Sequence, residues 1–262
     1  MFLATLLVIS CSDKADNPTS PNYTTTEDDY ADASEDAGSA VADPDEGFLS
    51  MFEANAENSM QPGESKGGNG FQVADTSYSH NGLLFTWDKT YYDADSNASE
   101  AYSSETTVRV FSGMSVVGTI VRPRRTAEID QSGYVNITGV TPGDAVLSIN
   151  GSIRRSVSSE FQAGWRGVRK EFSGTHTWTI VNLQLGRNRL LFPYPLGGEI
   201  RGTADFTRIQ VTPGRTKTVT VSMEYTVSFD GSRYGRMRFL SGMEFWVDLA
   251  SGECHKDDPD DE

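Results

Sequence analysis

In TVTVSMEYTVSF, residues 218–229, Val219, Val221, Met223, Tyr225, Val227 and Phe229 hold every odd position and Thr, Ser and Glu hold every even one. Six alternations in a row predict a β-strand with one buried and one wet face. Downstream, DGSR (230–233) supplies a turn, Met237 and Phe239 continue the apolar set, LSG (240–242) turns again, and Phe245, Val247 and Leu249 follow. Upstream, TPGR (212–215) joins a strand whose apolar phase changes from even (Ile200, Ala204, Phe206) to odd (Ile209, Val211). That change predicts a bulge near Thr207 and Arg208, because one extra residue reverses the facing. Residues 198–249 therefore read as a four-stranded antiparallel meander.

Working outward, TPGD (141–144) is a turn, and Asn150-Gly151 is the strongest two-residue hairpin signal in the chain. Further strand candidates are GLLFTWDKTYY, TTVRVF, SVVGTIV, SIRRSVSSEF and HTWTIVNLQL. The expected fold class is all-β: a dozen or so antiparallel strands forming a β-sandwich or a strongly curved meander sheet, in one domain over 71–250. A transmembrane barrel fits poorly, because few strands carry the aromatic girdles such barrels need.

The formal charge of −15 is not spread evenly. Residues 1–70 hold 14 acids and 2 bases, net −12, and residues 251–262 are net −5, leaving the body at +2 with nearly all its bases Arg. The acidity belongs to the ends and says nothing of the body's partners. Residues 11–46 are rich in Asp, Glu, Ser, Thr, Ala and Pro and read as a disordered acidic stalk. Phe48, Leu49 and Phe52 suggest one short helix within 47–70, followed by a Gly-rich linker, and 251–262 reads as a disordered acidic tail.

The first ten residues, MFLATLLVIS, have the length of a signal-peptide core and are too short to span a bilayer. With Cys11 they end in VISC, which resembles the lipobox of bacterial lipoproteins, although no Lys or Arg precedes the apolar core. That resemblance implies cleavage before Cys11, acylation of Cys11, and a membrane tether. Several acyl chains on one residue exceed what stable anchoring needs. Ser12 stands where Asp would signal inner-membrane retention, so the implied location is the outer membrane. YYDADSN, YPLGG and FWVDLASGE resemble recurring pieces of β-rich secreted lipoproteins to which no activity is assigned.

Chemistry is thinly signalled. His80, His176 and His255 are too scattered for a metal cluster, and His176 reads as a surface or packed ring. Asp93, Asp95 and Asn97 have the D-x-D-x-N spacing of a calcium loop, but Ala98 and Ser104 replace its turn Gly and closing Glu, so a polar hairpin loop is the favoured reading and calcium the one metal to test. No other cofactor is expected. Arg122, Arg124, Arg125, Arg154, Arg155, Trp165, Arg166, Arg169 and Lys170 are the candidate ligand-binding residues, Arg being suited to bidentate contacts with phosphate or carboxylate. Cys254 is left without a partner if Cys11 is acylated, to pair between chains or stay buried.

The expected function is a lipid-anchored envelope protein whose β-domain binds a glycan, lipid or protein partner without catalysis. Nucleic acid is not an expected ligand. One alternative is a hydrolase with paired carboxylates, for which Asp205 and Glu224 sit on neighbouring strands. The other is a carrier of an apolar ligand inside the curved sheet.

Overall fold

A computed structural model describes residues 26–43, 47–49, 75–122, 125–163, 168–212 and 214–257. The elements are helix α1 (Glu27–Ala42) and strands β1 (Asp75–His80), β2 (Leu83–Tyr92), β3 (Ala98–Ser99), β4 (Arg109–Arg122), β5 (Arg125–Thr138) and β6 (Val146–Ala163). They continue as β7 (Val168–Gly186), β8 (Gly197–Thr212), β9 (Arg215–Ser228), β10 (Tyr234–Phe239), β11 (Glu244–Asp248) and β12 (Cys254–His255). All twelve strands belong to one antiparallel sheet. Their order follows the chain, except that β3 pairs with the edge of β2. The all-β expectation holds, in the form of a single meander rather than two packed sheets.

Alternation carries each strand as it does in 218–229. Residues 83–92 of β2 and 219–228 of β9 bury every second side chain, and the same periodicity runs through β4, β5 and β10. The inward set includes Phe85, Ile137, Ile149, Ile153, Trp178, Ile180 and Phe239, which form one continuous core. The meander expected over 198–249 is β8 to β11, in the registers that TPGR, DGSR and LSG require.

Three readings differ from the structure. β8 and β9 pair without interruption from Glu199 to Thr212, so no bulge lies at Thr207 and Arg208. Arg208 takes the inward position that the apolar count left empty, and Ile209 and Val211 are half-buried on the other face. Asn150-Gly151 is no hairpin turn but part of β6, where the β6–β7 register shifts between Ile149 and Gly151. Gly151 serves a close approach there, since a Cβ would stand 2.2 Å from the Tyr134 carbonyl oxygen. TTVRVF and SVVGTIV contribute to one long strand, β4, rather than two.

A further difference is the stalk. Within the stretch read as disordered, residues 27–42 form α1, and the sheet closes on it. Thr26 opens the helix, with its backbone N–H donating to Asp29 Oδ2 at 2.8 Å and its hydroxyl to the same oxygen at 2.7 Å. Ala33, Ala37, Ala40 and Val41 are buried. Asp43, the residue that caps α1, meets Arg122 on β4 at 3.1 Å and is also packed by Gly252, next to β12. Eight strand spacings separate β4 from β12, about 40 Å on a flat sheet. A helix about 10–12 Å across cannot bridge that span, so the sheet is rolled around α1. Among the described residues β1 and β12 are not paired, and α1 packs against β11 and β12.

Candidate functional site

The acids of α1 explain its place in the roll. Asp29, Asp36 and Asp43 recur every seventh residue and so share one helix face. Asp29 Oδ1 accepts from the Arg208 guanidinium at 2.6 Å, and Asp43 accepts from Arg122. Asp36 lies 2.6 Å from His176 Nε2 and 3.9 Å from Arg125, with Arg155 close enough to act through its charge. The approach of His176 to Asp36 is oblique, a short polar contact rather than an aligned hydrogen bond, and Nδ1 of the ring has no partner among the described residues. The ring is wholly buried and stacks on Trp178 at 5.2 Å. Trp178 in turn donates from Nε1 to the Tyr225 hydroxyl at 2.7 Å. Burial alone would push the Asp36 carboxyl up, but the positive field of His176, Arg155 and Arg125 outweighs it and holds the group below its ordinary 3.8. Burial pushes the Tyr225 phenol upward.

The sheet brings part of the arginine set together. Arg122 pairs in register with Arg125, Arg125 with Phe161, and Phe161 with Lys170, so the four form one cross-strand row. This row lies at the end of the sheet where the β4–β5, β6–β7 and β8–β9 connections turn. Arg169 is one position further on, bridged to Glu160 at 3.1 Å and Glu171 at 2.8 Å. Beneath the row is a cavity of about 160 Å³ lined by Arg125, Ser159, Phe161, Lys170, Glu171, Phe172 and Arg208 from the sheet and by Glu35, Asp36 and Ser39 from α1. The Ser159 hydroxyl is buried in this lining and has no hydrogen-bond partner among the described residues.

Other candidates fall elsewhere. Arg154 and Arg155 sit mid-strand and face opposite ways, Arg154 to solvent and Arg155 into the core. They do not join the rim. Arg124, Trp165 and Arg166 lie outside the described residues, as do Cys11 and Phe52. Phe48 and Leu49 are buried, with Phe48 against Trp178 at 5.4 Å. Asp93 accepts from the backbone N–H groups of Asp95 at 3.0 Å and Asn97 at 2.8 Å, and from the Asn97 side-chain amide at 2.8 Å. Those bonds from Asn97 and Asp95 hold its carboxyl below the ordinary value, and the loop folds on its own hydrogen bonds. Among the described residues no group of three or more His, Cys, Asp or Glu is placed to hold a metal. Asp205 and Glu224 are both exposed, their strand partners being Ser222 and Thr203. They face solvent rather than a cleft.

Cys254 belongs to β12, inside the segment read as a disordered tail. Its thiol donates to the Ser34 carbonyl at 3.0 Å, and burial pushes it up to about 12. His176, read as a surface or packed ring, is a packed one, whereas the inward-facing charge of Arg208 is not legible in the sequence. The signal that would have found their partner is the seven-residue spacing of Asp29, Asp36 and Asp43.

No family model, curated protein or solved structure matches this chain. The geometry of the rim alone carries its functional reading.

Proposed function

We propose that the protein is a lipid-anchored envelope protein, tethered through Cys11, whose rolled sheet binds an anionic glycan at the cationic rim without catalysis. The observation that carries this is the row Arg122, Arg125, Phe161 and Lys170 lying over a small cavity with a buried, unpartnered Ser159 hydroxyl. Cations supply attraction to a carboxylate or sulfate, Phe161 and Phe172 supply flat apolar walls, and Ser159 supplies a donor. The concave space that a carrier would use is occupied by α1 and the core side chains. The cavity's acids give the hydrolase reading little support, since Asp36 is engaged by His176 and Glu171 by Arg169.

A calorimetric screen of uronate-bearing and sulfated oligosaccharides tests the reading. Binding that weakens about tenfold or more in Lys170→Glu and falls with added salt is the expected result. Equal affinity of neutral and acidic oligosaccharides, or an affinity untouched by Lys170→Glu, overturns it.

A further inference from the structure

The loop joining β7 to β8, residues 187–196, carries RNRLLFPYPL at the opposite end of the sheet from the cationic rim. Three consecutive apolar side chains stand out of it: Leu190 is 97% exposed, Leu191 69% and Phe192 42%. A soluble surface seldom displays such a run without a use for it. The loop is firmly built. Leu191 and Phe192 donate from their backbone N–H groups to the Asn188 carbonyl at 3.1 and 2.9 Å, and the Arg189 guanidinium donates to the carbonyls of Phe192, at 3.0 Å, and Pro193. Neighbouring loops brace both sides, through Arg187 N–H to the Ala145 carbonyl at 3.0 Å and Gly231 N–H to the Pro195 carbonyl at 2.9 Å.

We propose that this loop is a membrane-contact tip, with Leu190 and Leu191 entering the interfacial layer of a bilayer that contains anionic phospholipid. Three features favour a bilayer over a protein partner. The patch is a projecting tip of three side chains, far short of the roughly 800 Å² that a stable protein interface buries on each partner. Residues 184–198 hold two arginines and no acid in a chain of net charge −15, which suits anionic headgroups. The acids in the bracing loops are turned onto their own backbones, Asp144 onto Thr141 and Asp230 onto Ser232. Arg189 also satisfies carbonyls at the tip, which lowers the cost of moving peptide groups away from water. The inference depends neither on the glycan reading of the other rim nor on acylation of Cys11.

The test uses the full chain with Cys11→Ala, so that no lipid contributes, mixed with vesicles of zwitterionic phospholipid containing roughly one third anionic lipid. Flotation compares it with the same chain carrying Leu190→Asp and Leu191→Asp, whose circular dichroism and melting are expected to be unchanged because both side chains stand in solvent. The expected result is vesicle binding at least about tenfold weaker in the substituted chain. An environment-sensitive dye on Leu190→Cys is expected to shift to the blue when vesicles are added. Equal partition of the two chains, or a dye that does not respond, overturns the proposal. A change in oligomeric state without a change in vesicle binding overturns it in favour of a protein contact.

Discussion

Asp36 is the residue on which most of the interior charge depends. It faces His176, Arg155 and Arg125, and removing its charge takes away the anion whose field those three groups share. Asp36→Asn is expected to cost about 3–5 kcal/mol at neutral pH, the range for breaking a buried pair from one side. The pH dependence has a definite sign. The folded carboxyl titrates below 3.8 and the unfolded one at 3.8, so its contribution is complete above 3.8 and is lost as pH falls through the folded value. Urea midpoints from neutral pH down to about pH 3 are expected to fall steeply in the parent chain and less steeply in Asp36→Asn. Apart from its seven-residue spacing from Asp29 and Asp43, nothing in the local sequence announces this residue. In SEDAGS it has the composition of a solvated segment, and its partners lie 89 or more positions away.

At the scale of elements, the strands were legible because burial on one face imposes a period of two that few other structures mimic, as in β9. The misreadings share a cause. Gly151 suits a turn by its freedom, and it equally suits a strand that another strand approaches at 2.2 Å from a missing Cβ. The apolar count misplaced a bulge in β8 because an inward Arg does not look like a core residue. Helix α1 is hidden for the same reason, its inward positions being mostly Asp, Ala, Ser and Gly. The rim was half legible: the arginines were visible, but only the register of β4 to β7 separates those that gather from those that do not.

Gly38 tests how α1 is seated. On an exposed helix Gly→Ala would stabilise by about 1 kcal/mol. Here the added Cβ would lie 2.6 Å from the Cys254 sulfur and 2.7 Å from the Gly252 carbonyl oxygen. Gly38→Ala is therefore expected to destabilise, by about 1–3 kcal/mol. It is also expected to speed alkylation of the Cys254 thiol, which burial otherwise suppresses. A gain in melting temperature with no change in labelling would place α1 outside the roll.

Across the whole molecule, the sheet is assembled from neighbours in sequence, whereas the contacts of α1 span the chain. Lys256 pairs with Glu27, Cys254 with Ser34, and Arg208 with Asp29. A chain ending at residue 249 is expected to keep protected amides in β5 to β8 and to lose protection throughout α1, as hydrogen exchange would register. Built from its amino end on the ribosome, the polypeptide presents α1 before any strand of the sheet and the strand that secures it after the other eleven. Each hairpin can form as it emerges, but the acidic helix must wait, soluble and unengaged, for more than two hundred further residues to be translated. Low hydropathy in α1 keeps the waiting chain out of aggregates, and β12 has to be made before the roll can close.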